Sequence, residues 1–375
     1  MAHLSILARS FGRALRVSAL VLLFAVPGGA LHAAEMLADT QNFSKARVVR
    51  VVEESERAVP GTALETTFQH IEAEFLEGPE KGSVVAIRND YLALEPGEVF
   101  YVMVTTSGLD GSVAYAVSEP YRLPALAAFF GLFVAVVAFF GGKQGLRGLL
   151  SLSLGLFAIA FAFLPSILAG FSPVLASLLV AALIVTLGSY ITHGFRRTTS
   201  AAVVGMIATI CFTGALAWAA VVFGRLSGFY TDEAVYLNFN TGGTIDFAGL
   251  LLGAMLIGLL GVLYDMAIGQ AVAVEELARA GSDLSPRELY ARALRIGREH
   301  VGALVNTLAI AYVGTALPML LLFSTSDAPL LVTLNREDFA TEFLRIIVGS
   351  IGIVLAVPIS TWAAVWMLRA KPAKE

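Results

Sequence analysis

The sequence predicts an α-helical polytopic membrane protein of about seven transmembrane helices with a small N-terminal extracytoplasmic β domain. Three observations predict it. Of the 375 residues, 57% are hydrophobic and 14% charged, against about 25% charged in an ordinary soluble domain. From Leu123 onward the chain is a succession of long apolar runs, each near the roughly 20 residues that cross a hydrocarbon core of about 30 Å. Ahead of them, apolar and polar residues alternate between frequent turn signals, which is the pattern of half-buried strands.

Residues 1–34 read as an export signal. Arg9, Arg13 and Arg16 make a positive region, Val17 to Val26 an apolar one, and Pro27, Gly28 and Gly29 end it before the small residues Ala33 and Ala34. Whether cleaved or kept as an anchor, the signal places the segment after it outside the cytoplasm. Residues 35–122 form the extracytoplasmic domain. Strands are expected near 45–53, 65–76, 83–88, 98–106 and 112–117, separated by Gly78-Pro79, Asn89-Asp90, Glu95-Pro96-Gly97 and Asp110-Gly111. About five short strands suggest a small barrel or sandwich, of which an OB-like barrel is one form. His70, alone between Gln69 and Ile71, reads as a surface histidine.

Residues 123–368 form the helix bundle, with spans expected at 124–141, 148–168, 174–192, 199–223, 247–273, 301–323 and 343–368, and residues 369–375 as a tail. Basic residues orient it. Lys143, Arg147, Arg196, Arg197, Arg279, Arg287, Arg292, Arg295, Arg298, Arg369, Lys371 and Lys374 fall on one side, and only Arg225 and Arg336 on the other. That bias puts the C-terminus in the cytoplasm, in agreement with the export signal, and the location is the cytoplasmic membrane. His193, Arg196 and Arg197 close the third span as interface anchors.

The net charge of −4 argues against nucleic acid as a partner, which would call for a basic patch. The single Cys211 makes neither an intramolecular disulfide nor a zinc cluster. No phosphate-binding loop ending in Lys-Ser or Lys-Thr occurs, and no His-Glu-x-x-His or Gly-x-Ser-x-Gly. The expectation is a non-enzyme with no catalytic residues, no metal site and no cofactor.

The polar residues inside the apolar runs are the informative ones. Asp265 lies well within the fifth span, and a helix puts Gly258, Gly261, Asp265, Gly269 and Glu276 on one stripe. Glycines let another helix approach, so the carboxylate is expected to face protein or a water-filled cavity. An acid at a membrane centre costs about 2.5–3.5 kcal/mol, which points either to proton or cation handling or to an interhelical hydrogen bond. In the sixth span Asn306 either pairs with Asp265 or helps hold a solute, and Tyr312 is polar on the same helix. In the seventh, Gly349 and Gly352 flank Ser350 on a face suited to close packing, and Pro358 comes after them. Between the fifth and sixth spans, Ser285-Pro286-Arg287-Glu288 is a capping box with proline at the first helical position. It opens a helix whose Arg287, Arg292, Arg295 and Arg298 suit an anionic lipid surface, or simply mark the cytoplasmic side.

At these residues the sequence resembles the YibE/F family of bacterial multi-pass membrane proteins. The resemblance is carried by Gly258–Glu276 (GLLGVLYDMAIGQAVAVEE), Leu284–Arg298 (LSPRELYARALRIGR), Asn306–Gly314 (NTLAIAYVG), Glu342 and Gly349–Pro358 (GSIGIVLAVP), and extends over roughly 45–368. Gly269 departs from it, standing near where the family pattern has a serine, and Glu299 keeps the acid after the Gly-Arg of the loop helix. The resemblance implies a polytopic cytoplasmic-membrane protein and no established reaction. The leading expectation is a permease or an ion- or proton-coupled transporter working through Asp265. The alternative is a non-transporting scaffold whose extracytoplasmic domain binds a protein or envelope component. The partners expected are the lipid bilayer, a small ion or solute, and either a second copy of the chain or an envelope protein.

Overall fold

The computed structural model describes residues 39–58, 61, 65–281 and 283–368. The export signal and the C-terminal tail lie outside the described residues. The chain divides into two compact units, with the division between Val136 and Val137.

The first unit holds five antiparallel strands: β1 (Thr40–Ala58), β2 (Glu65–Phe75), β3 (Val84–Asn89), β4 (Val99–Thr106) and β5 (Val113–Pro120). They form one sheet in the order β3-β2-β1-β4-β5. β1 is long enough to serve two partners: Thr40 to Arg47 pair with β4, and Ala46 to Ala58 with β2. Two register shifts, between Val48 and Arg50 and between Val51 and Glu53, bulge the strand. Bulges bend and over-twist a strand, so the sheet curls into a half-barrel. Its hollow is filled by Val48, Ile71, Phe75, Ile87, Phe100 and Val102, each at most 1% exposed. The two ends of the curl meet through side chains. Tyr91 Oη donates to Glu119 at 3.4 Å, and Tyr115 Oη to Glu80 at 3.0 Å. The small barrel or sandwich expected from the strand count is therefore a single curved sheet.

A buried amide pair secures the 89–94 turn. Asn89 Nδ2 donates to Gln69 Oε1 at 3.0 Å, the same oxygen accepts from the Leu94 amide at 2.8 Å, and Gln69 Nε2 donates to the Leu94 carbonyl. Both side chains are 1% exposed, and their bonds offset the cost of burying amides. His70 stands on β2 as expected, half-buried, 3.1 Å from Glu53.

The helices are α1 (Leu123–Ala158), α2 (Leu164–Leu168), α3 (Pro173–His193), α4 (Arg197–Phe223), α5 (Asp232–Asn240), α6 (Phe247–Ala280), α7 (Pro286–Thr315), α8 (Leu317–Ser324), α9 (Leu330–Leu334) and α10 (Glu337–Leu368). A π-helical turn, Ile159–Phe163, joins α1 to α2. Leu123 to Leu168 is thus one stretch of 46 residues, about 69 Å at 1.5 Å per residue, or over twice a hydrocarbon core. Gly142 interrupts it with φ 52° and ψ −141°, a conformation open to glycine alone. The two spans expected at 124–141 and 148–168 are separated by that one residue rather than by a loop. Among the described residues, five helices could cross a membrane by length and composition, and up to six if the pair α7–α8, bent by 66°, counts as one. The expected seven is reached only by also dividing the first at Gly142.

α6 is the central helix, packed against α3, α4, α7 and α10. Asp246 caps it, accepting from the Gly249 amide at 2.9 Å, and Leu259, Leu263, Met266 and Ala267 enter the core with Ile353 and Val357 of α10. α7 begins at the expected capping box, with Ser285 and Glu288 bonded reciprocally. It then runs unbroken through Thr315. The surface helix expected ahead of the sixth span is therefore the first half of α7. Of its apolar residues Leu289 and Ala293 are wholly buried in the bundle by packing against α6 and α10, Leu294 is partly buried, and Ile296 stays exposed. Arg287, Arg292, Arg295 and Arg298 stay exposed. α10 passes through Pro358 as one helix.

Candidate functional site

Asp265 lies on an exposed face of α6. The stripe predicted around it exists, but it points out of the bundle instead of into it. A Cβ added at Gly261 or Gly269 would meet nothing within 4 Å; at Gly258 it would meet only Tyr312, whose hydroxyl is 2.6 Å away. The reason is volume. The opposite face of α6 carries Leu259, Leu263 and Met266, and burying those branched and long side chains outweighs burying a stripe of hydrogens. Asp265 sits between two neighbours of its helix. Tyr264 reaches the Gly188 carbonyl of α3 at 3.4 Å, and Gly258 meets Tyr312 of α7. Among the described residues Asp265 has no hydrogen-bond or ion-pair partner. Asn306, exposed on α7, likewise has none, so the two are not bonded to each other. Glu276, at the end of the stripe, pairs with Arg279 at 3.0 Å.

Tyr312 belongs to a second polar group. The Arg345 guanidinium lies over its ring at 5.5 Å, donates to Glu342 at 2.8 Å and to Tyr230 Oη at 3.2 Å. Arg345 Nε is buried with no partner. Burial pushes the Tyr230 phenol above its ordinary value. The first turn of α10 holds this group in place: Glu337 accepts from the Ser227 and Gly228 amides at 2.6 and 2.8 Å, anchoring the segment that carries Tyr230. The sequence signal for Arg345 is its position, three residues after Glu342 near the head of a mostly apolar helix, the spacing at which side chains meet.

The remaining predicted residues separate by role. Gly349 receives Leu259 and Leu308, whose side chains would lie 2.6 and 2.7 Å from an added Cβ, and Gly352 receives Thr213 at 2.8 Å. These two are close-packing sites, and Ser350 between them is half-buried. A contact that the sequence reading missed joins three helices. Gln270 of α6, 2% exposed, accepts from Thr361 of α10 at 2.8 Å and crowds Gly297 of α7, where an added Cβ would collide with Gln270 Nε2.

One cavity of about 190 Å³ opens where α3 ends and α4 begins. Ile268, Val272 and Glu275 of α6 form one wall, so it reaches to within one turn of Asp265. No three His, Cys, Asp or Glu side chains come together as metal ligands among the described residues.

The sequence model of the YibE/F-like protein family matches residues 129–370. No curated protein and no solved structure matches the chain. The match spans the helical unit and its stripe, capping box and Gly349–Pro358 segment, and leaves the sheet outside: the chain belongs to the family of YibE/F-like proteins.

Proposed function

We propose that this is a multi-pass protein of the bacterial cytoplasmic membrane that moves a small ion or a proton-coupled solute, with Asp265 as the carboxylate that takes up and releases the cation. The observation that carries the reading is an acid without a partner among the described residues on the central apolar helix, one turn from a cavity. A membrane helix retains such a group at a cost of about 2.5–3.5 kcal/mol, and a packing role would show a bonded neighbour. The reading orients the bundle with residues 35–122 outside and the C-terminus inside, on the bias of basic residues. It calls for no enzymatic chemistry and no cofactor. The test is flux into liposomes holding the full chain, with a panel of ions and metabolites, for wild type and Asp265→Asn. Asn keeps the shape and cannot ionise, so flux present in wild type and lost in an equally abundant Asn variant supports the reading. Equal flux in both removes the ionisable role.

A second reading is favoured by the outward aim of the stripe. Gly261 and Gly269 leave room beside Asp265 for a helix from outside this chain. In that reading the bundle is a scaffold that associates with a second copy, and the extracytoplasmic sheet binds an envelope component. Cross-linking between cysteines placed at Gly261 in native membranes would then give a dimer.

A further inference from the structure

The cavity at the α3–α4 corner is built to hold an anion. α4 is a helix of 27 residues whose N-terminus has no side-chain cap. Such an end presents free amides and the positive pole of the helix dipole. Here Thr198 and Thr199 of that first turn line the cavity. Thr199 is 3% exposed, and its hydroxyl has no hydrogen-bond partner among the described residues. Two arginines from separate elements line the same space, Arg147 of α1 and Arg196 ahead of α4. Neither has an acidic partner among the described residues.

The one acid in the wall is already engaged. Glu275 accepts from Thr198 Oγ1 at 2.6 Å and is paired with Arg279. That leaves two guanidinium groups, an unpaired hydroxyl and an uncapped helix end around a space of about 190 Å³, where one water needs roughly 10–15 Å³. Forked guanidinium donors with backbone amides are the donor set that matches phosphate oxygens.

We propose that this corner is a binding site for a phosphate group, either the headgroup of an anionic phospholipid or a free phosphate. The lipid source rests on the membrane reading above; the free-phosphate source does not, and neither uses Asp265.

The test compares full chain in nanodiscs. In phosphatidylcholine discs, inorganic phosphate is titrated by calorimetry. In discs doped with phosphatidylglycerol, the lipids that stay with the protein are counted by native mass spectrometry. The variants are Arg147→Gln with Arg196→Gln, and, as an equal loss of charge elsewhere, Arg47→Gln with Arg88→Gln, two exposed residues of the sheet. Binding of one probe or both is expected in wild type and in the Arg47/Arg88 variant. The Arg147/Arg196 variant should bind at least about tenfold more weakly, since a hydrogen bond to a charged group is worth a factor of ten or more. Phosphatidylglycerol alone affected identifies a lipid site, and phosphate alone a solute site. If the Arg147/Arg196 variant misfolds, Thr199→Val decides, with a several-fold loss expected. Binding of neither probe by wild type, equal weakening by both arginine variants, or unchanged binding in a folded variant of the corner overturns the proposal.

Discussion

Arg345 and Glu342 are joined at 2.8 Å across one turn of α10, with side chains only 17% and 19% exposed. An ion pair so poorly solvated is coupled: each charge is tolerable because the other is there. Tyr230 and Tyr312 complete the surroundings, tying α10 to α7 and to the segment after α4.

That coupling predicts an asymmetry. Arg345→Met alone strands the Glu342 carboxylate and should cost about 3 kcal/mol or more, whereas Arg345→Met with Glu342→Gln should cost far less. Thermal unfolding of the purified chain, measured for wild type, both single variants and the double, gives the coupling directly. A double variant no more stable than the worse single one would show that the pair is not coupled.

The Gln270–Thr361 bond joins α6 to α10 at a site from which water is excluded. Thr361→Val keeps the shape and removes the donor, leaving the Gln270 carbonyl oxygen unpaired, at a cost of about 1–3 kcal/mol. Thr361→Ser keeps the hydroxyl and should lose less than half as much. Denaturation midpoints of the two variants check it; equal losses would mean that the methyl, not the bond, matters.

Asp110 gives a prediction in pH. Its carboxylate accepts first from the Ser112 hydroxyl at 2.7 Å, then from the Ser112 amide at 3.0 Å, and is held down at about 2. An unfolded aspartate titrates near 3.9. The folded value is the lower one, so the contribution of this turn to stability is full above about pH 4 and is lost as pH falls toward 2. Site-resolved titration of Asp110 in residues 39–122 should show its midpoint near 2 in wild type and nearer 4 in Ser112→Ala. An unshifted wild-type midpoint would contradict the bonded turn.

The strands were legible because period-two alternation and turn residues act locally: five were expected and five are present among the described residues, in nearly the expected places. The curl of the sheet was not legible, since it depends on where β1 bulges against β2, a property of the pairing. The apolar helices and the Ser285 capping box were likewise local. That Leu289 and Ala293 pack into the bundle instead of onto a membrane surface depends on what α6 and α10 present to them.

The sequence by itself determined the order of a β-rich segment and a bundle of apolar helices, the family of the bundle, the break after residue 141 and the isolation of Asp265 in an apolar run, because composition, period and backbone freedom act within a few residues. Only the tertiary structure decided which face of α6 is buried, that Arg345 finds Tyr230 and Tyr312, and that Arg147, Arg196 and Thr199 share one cavity. Those are contacts between residues far apart in the chain, set by how side-chain volumes pack between helices, and no local pattern encodes them.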